Sequence, residues 1–264
     1  MPLASRSYVR VAEALGRAEL PRFLAAAIEV QTSADHPFGR DMALRKPSEA
    51  DIRSVVPLAD RVVQHVAAHA GISPKTAFKL LGQRWPHARW ARDVQQAVGM
   101  CLLSGGPHPH LTDELVTGWL VTGPSRPWVL FVAEHTDDLL SVCRLEHERA
   151  WITRMLRSVG DIAAYEELIK EYTAEAAVLE ARRQRARNGL VHGNPTNFPI
   201  VESVREYATF LSSGALRLGI ESYVENSPPQ TALKLRTPEV IAMQAGQDAV
   251  TYWRRRVAAL QDSP

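Results

Sequence analysis

The sequence predicts an all-α protein, and three observations carry that prediction. Apolar residues recur at helical spacing from one end of the chain to the other, alternating runs of the strand kind are scarce, and proline and glycine gather between the periodic segments. With 264 residues, 45% of them apolar, the chain holds enough material for the core of one large domain or two small ones.

Taken in order, Tyr8 to Ile28 reads as a helix interrupted near Pro21, and the turn residues and charges from Pro37 to Pro47 read as a loop. Ser48-Glu49-Ala50-Asp51 then supplies an N-cap with acids in the first turn. Ile52, Val55, Val56, Leu58, Val62, Val63 and Val66 follow as the apolar face of a second helix. Pro57 is expected to kink or split it, and Gly71 to end it. A further helix covers Val94 to Leu103 until Gly105-Gly106-Pro107-His108-Pro109-His110 breaks it. We place a domain boundary there, with a helical N-terminal region over 1–104 and a helical bundle with a C-terminal extension over 112–264.

Within that second region Leu115 to Val121 is short and apolar, and Pro124 to Pro127 marks a turn. Trp128 to about Val159 reads as one long amphipathic stretch, with a strand as the alternative for Trp128 to Val132. A second long helix runs from Asp161 to His192, with Ile162, Tyr165, Leu168, Ile169, Tyr172, Ala176 and Leu179 at helical spacing. The two long helices are expected to pair antiparallel. Gly193, Asn194 and Pro195 stop the second, and Ile200 to Tyr223 forms another helix with Val204, Tyr207, Ala208 and Leu211 on one side. Pro228-Pro229 closes the bundle. The tail from Pro238 to Leu260 is amphipathic and carries Arg254-Arg255-Arg256, and no internal repeat is present.

Composition narrows the function classes. A formal charge of +2 excludes binding of nucleic acid by bulk charge, so any such site must be local. Cys101 and Cys143 are the only cysteines, both in apolar text, and the first residues lack the apolar core of a signal peptide, which points to a reducing, cytoplasmic setting. Apolar stretches such as Trp128 to Ala133 are far shorter than the roughly 20 residues of a membrane span, so no membrane partner is expected. The chain has neither a phosphate-binding glycine loop nor a Gly-x-Ser-x-Gly elbow, against P-loop and serine-hydrolase chemistry.

One segment carries chemistry: Arg187-Asn188-Gly189-Leu190-Val191-His192, at the end of the second long helix. Cleaving RNA without a metal requires removing the 2′-hydroxyl proton, stabilising the transferring phosphoryl group and protonating the departing 5′-oxygen. His192 suits the proton steps because imidazole titrates near neutrality. Arg187 suits the phosphate because its planar fork stays charged, and Asn188 can orient a partner or a phosphate oxygen. Asn188 and His192, four apart, share a helix face, whereas Arg187 and His192 differ by about 140° in direction, a gap a long arginine can close. Arg182, Arg183 and Arg185 add positive charge upstream and suit an RNA groove; Arg183 equally suits a pair with Glu180 one turn earlier. Acid and base are best supplied by two groups, so a homodimer that brings two motifs together is expected.

This segment resembles the Arg-x4-6-His signature of HEPN domains, in the variant with a polar residue directly after the arginine. Its placement is similar too, near the end of a long helix with another bundle helix following. The resemblance covers about six residues in motif and roughly Thr112 to Asn226 in architecture. It implies an up-and-down helical bundle, a metal-independent endoribonuclease without cofactor, a cleft between paired motifs, and a setting in toxin-antitoxin systems, antiviral defence or RNA processing, with an antitoxin or sensor as partner. Some HEPN domains bind RNA without cutting, and that reading fits the same residues. A subset of HEPN toxins carries a tyrosine two residues after the histidine; Asn194 stands there in this chain, which argues against regulation through that residue.

A second constellation lies at 62–82. Ala67, Gly71, Ile72 and Leu80 fall at the offsets of a helix-turn-helix, whose second helix would offer Ser73, Lys75, Thr76 and Lys79 to DNA. Ser73-Pro74 is also an ordinary helix start, and a scaffold role for this hairpin stands beside the DNA-binding one. Cys143 and His147, and His108 and His110, lack a convincing further metal ligand and read as a buried cysteine and solvated histidines. Glu134, His135, Asp137 and Asp138 read as acids and a histidine early in a helix, or as auxiliary polar groups. Trp85, Trp90, Trp119, Trp128, Trp151 and Trp253 read as core or interface residues.

Overall fold

The computed structural model describes residues 20–35, 49–105, 108–122, 127–193, 196–224, 226–228, 230–231, 250–252, 254–255 and 258. Among them every regular element is helical: α1 (Arg22–Asp35), α2 (Glu49–His69), α3 (Pro74–Gly82), α4 (Trp85–Leu103), α5 (Pro109–Leu120), α6 (Trp128–Val142), α7 (Arg149–Arg157), α8 (Ile162–Val191) and α9 (Phe198–Val224), with a 3-10 turn at Glu146–Glu148. None of these helices is long and apolar enough to cross a membrane. The part of the expected first helix before Leu20, the loop from Pro37 to Pro47, the Ser48 cap, the turn at 124–126, Asn194, Pro195 and most of the tail from Pro238 lie outside the described residues.

The chain forms two compact units, and neither matches the division expected at 105–110. Unit 1 takes 1–85 and 174–235; unit 2 takes 86–173 and 236–264. α4 ends at Leu103, two residues before left-handed Gly105, but the helices on both sides bury their apolar faces in one core, so a turn signal there marks a corner and not a boundary.

In unit 1, α9 packs on α1 and α2, with α3 and the second part of α8 completing the layer. Its core draws on Leu24 and Ile28 of α1, Val56, Val63 and Val66 of α2, Leu81 of α3, Leu179 of α8, and Val204, Leu211 and Leu216 of α9. Pro57 sits inside α2 and does not split it. Buried Val55, Val56, Val62 and Val63 anchor the helix on both sides of the proline, and their contacts hold it through the lost backbone hydrogen bond. The helix ends as expected: the Ile72 amide donates to the Ala67 carbonyl at 3.0 Å and the Gly71 amide to Ala68 at 3.2 Å, with Gly71 left-handed at φ +64°. A methyl group there would meet only Gln230 Nε2, at 3.7 Å. Gly71→Ala is therefore expected to cost about 1 kcal/mol from backbone conformation alone, read as a lower urea midpoint with unchanged slope.

In unit 2, α4, α6, α7 and the first part of α8 enclose Trp90, Val98, Phe131, Leu139, Ile152, Leu156 and Leu168. Trp128 to Val132 is helical, not a strand, and the expected helix to Val159 is broken at 143–145. Ser104, just past α4, explains the break. Its hydroxyl donates to the Cys101 carbonyl at 2.8 Å and the Val142 carbonyl at 3.3 Å, and accepts from the Arg144 amide at 3.0 Å. These bonds replace the helical ones that residues 142 and 144 would otherwise make. Cys101 and Cys143 are both buried beside this clamp, and burial, followed by the neighbouring Cys143, pushes the Cys101 thiol up to about 12.

Candidate functional site

The second part of α8 turns Ala176, Leu179 and Ala186 into the core of unit 1, and Arg183 lies in the same stripe. A guanidinium at a core position is tolerated only when its donors are satisfied and its charge is balanced. Glu180 accepts from Arg183 Nε at 2.9 Å and from Nη2 at 2.7 Å, a bidentate pair. Arg183 Nη1 donates to Asp60 Oδ1 of α2, and its guanidinium stacks 4.0 Å above the Phe78 ring of α3. Tyr207 of α9 is buried beside the group; burial and then the Glu180 carboxylate raise its phenol above the ordinary value. Burial alone would lower the Arg183 pKa, but the two carboxylates outweigh it and hold the guanidinium charged. Arg183 is thus a buried ion-pair centre and not an RNA-facing side chain. The pairing with Glu180 readable in the sequence is present; the larger part, Asp60 and Phe78, comes from elsewhere in the chain.

Asp60 also reaches the motif. Its Oδ2 lies 3.7 Å from Arg187 Nε, one turn beyond Arg183, while Arg187 Nη1 donates to Asn188 Oδ1 at 3.0 Å. Arg187 is 35% exposed in its side chain, so its guanidinium is braced from behind by a carboxylate and open to solvent in front. Asn188 and His192 are exposed, and the His192 amide still donates to the Asn188 carbonyl at 3.0 Å, which keeps the histidine on the helical path before left-handed Gly193 ends it. Among the described residues no side-chain hydrogen bond joins the His192 ring to Arg187 or Asn188. The arginine has bent toward Asp60 and not toward the histidine. Arg182 and Arg185 are exposed on the opposite flank of the helix.

Burial raises the Asp60 pKa, and the pull of Arg183 and then Arg187 offsets this without reversing it. A folded-state value above the unfolded one means the folded chain holds that proton more tightly. The stability contributed by Asp60 is therefore full below its unfolded pKa and declines as pH rises through the folded one. Urea unfolding of wild type beside Asp60→Asn between about pH 4 and pH 7 is expected to show wild type losing ground to the variant as pH rises. A constant difference would place the Asp60 pKa at its unfolded value.

On α3, Ser73 caps the helix: its Oγ accepts from the Thr76 amide at 3.1 Å and lies 2.8 Å from Thr76 Oγ1. Lys75 and Lys79 are exposed, while Ala77 and Leu81 are buried. In unit 2, His135 Nδ1 lies 3.2 Å from Asp138 Oδ2 within α6, and His135 departs from helical geometry at φ −117°, ψ 19°. Trp85 and Trp90 are buried, Trp85 edge-on to Tyr207 and Trp90 donating to Ser158 Oγ at 2.8 Å. Sequence reading missed Asp60 as a site residue. Its signal was available: Val56, Ala59, Asp60 and Val63 fall on one helical face, and an acid on an apolar face requires a buried partner.

Compared with known proteins, the chain matches no family model, no curated protein and no solved structure.

Proposed function

We propose that the chain is a metal-independent endoribonuclease whose site is built from Arg187, Asn188 and His192 and completed by a second copy. The observation that carries this reading is the open end of α8, where a charged fork braced by Asp60 and Asn188 stands half-exposed and an exposed imidazole follows on the next turn. A lone arginine of the dipole-complementing kind has no need of a buried carboxylate behind it; a phosphate-binding arginine gains from one, because its fork is held before the ligand arrives.

In the proposed reaction the 2′-oxygen attacks phosphorus, a 2′-O–P bond forms and the P–O5′ bond breaks. The products are a 2′,3′-cyclic phosphate and a 5′-hydroxyl. One copy's His192 accepts the 2′-hydroxyl proton and the second copy's His192 protonates the leaving oxygen. Arg187 takes the charge on the non-bridging oxygens, and Asn188 keeps its fork in register. Two histidines are needed because one group cannot be base and acid in the same step.

The test is cleavage of total RNA in EDTA by purified wild type beside His192→Ala and Arg187→Ala, all three shown to be folded. Cleavage by wild type alone is the expected result. Equal cleavage in all three, or none by wild type, overturns the reading.

A further inference from the structure

No acidic residue lies between Asp60 and Asp93, and none between Glu180 and Glu202. In unit 1 the first stretch carries Arg61, Lys75, Lys79 and Arg84, and the second carries Arg182, Arg183, Arg185 and Arg187. Of these, Arg183 is neutralised in the core by Asp60 and Glu180. Its stacking on Phe78 is what joins the two stretches in space, since it seats α3 against the motif helix. Around α3, Ala77 and Leu81 face the core and Phe78 forms the edge beneath Arg183. Lys75 and Lys79 come next, about 60° and 100° beyond Phe78, which puts Lys75 beside the flank that meets α8 and Lys79 on the solvent face next to it. Gly82, about 40° beyond Phe78, lies on the same side: a methyl group on it would be 2.9 Å from Tyr207 Oη, so this side of α3 is packed against α9.

We infer that Lys75 and Lys79 extend the RNA site from the end of α8 onto α3, as a ledge that takes backbone phosphates of single-stranded RNA flanking the cleaved bond. The inference rests on the proposed nuclease reading for the identity of the polyanion. Single strands are the fitting class because attack by the 2′-oxygen in line with the leaving 5′-oxygen needs a backbone free to rotate, which a duplex restrains. The same lysines would serve a DNA-reading helix only if α3 presented its N-terminal residues to base edges. Here Ser73 and Thr76 bond each other in capping the helix, and one flank of α3 is occupied by Arg183.

The experiment is binding of a fluorescein-labelled, mixed-sequence single-stranded RNA to His192→Ala, which cannot consume the probe, followed across a salt series. Adding Lys75→Ala and Lys79→Ala is expected to weaken binding at least tenfold at low salt and to reduce the slope of log K against log salt by about 1.4, the release from two phosphates of a single strand. Lys170→Ala with Arg144→Ala removes equal charge from exposed positions of unit 2 and is expected to change the slope by less than half as much. An unchanged slope in the α3 variant, an equal loss in the control, no RNA binding at all, or loss confined to a duplex DNA probe overturns the ledge. If the slope falls as expected while wild type fails to cleave, the ledge stands and the nuclease reading falls.

Discussion

Arg183→Ala is expected to destabilise unit 1 by about 3–5 kcal/mol, more than any other single change considered for this chain. The replacement removes a side chain that is 4% exposed and leaves Asp60 and Glu180 facing each other without a cation between them. It also uncovers one face of Phe78, which sits 4.0 Å below the guanidinium. Arg183→Lys keeps the charge but has no planar fork, so it serves Glu180 or Asp60 and not both; a loss of about half as much is expected. Asp60→Leu combined with Arg183→Met and Glu180→Gln tests the cause. Loss from an uncompensated charge is recovered when all three are made apolar or neutral, whereas loss from packing is not. Urea unfolding followed by far-UV circular dichroism reads all of these.

On the nuclease function proposed above, His192→Ala is expected to lower RNA cleavage by about 10²–10⁴-fold, the range over which a positioned acid or base contributes. The side chain is exposed at the end of α8 and supports no part of the core, so its removal leaves the unfolding midpoint within error of wild type. This separates it from Arg183, where any loss of cleavage would follow loss of fold. Arg187→Lys provides the intermediate case: the charge near phosphorus persists, the bracing by Asp60 and Asn188 does not, and turnover falls while the Michaelis constant changes little. A site completed by a second copy also predicts that specific activity falls on dilution once the dimer dissociates, with both histidine-dependent proton steps lost together.

Much of the helix content was legible because the apolar spacing belongs to each helix alone. Ile162, Tyr165, Leu168 and Ala176 announce α8, and Gly193 its end. What failed to read was set by residues far along the chain. Cys143 to Leu145 contains neither glycine nor proline, and its departure from the helix is fixed by the Ser104 hydroxyl, contributed from another element. Pro57 signalled a kink or a split, and the buried valines around it keep the helix from splitting. The division into units was hidden for the same reason: α9 buries its apolar face against α1 and α2, and spacing within a helix says nothing about which distant helix will cover it. In the candidate site, the motif's side chains were readable by chemistry, and the brace was not, because Asp60 meets Arg183 across 123 residues of sequence.

Because unit 1 is assembled from two stretches separated by most of unit 2, its birth on the ribosome has an order imposed on it. The valine face of α2 emerges first, and the α9 residues that cover it, Val204 to Leu216, emerge only after Pro86–Thr173 has been made. At about 5–20 residues per second that delay is on the order of ten seconds, during which an apolar helical hairpin waits without its lid. Unit 2 has most of its own core within that intervening stretch and can settle in the meantime. A chain stopped anywhere before α9 leaves that hairpin permanently uncovered.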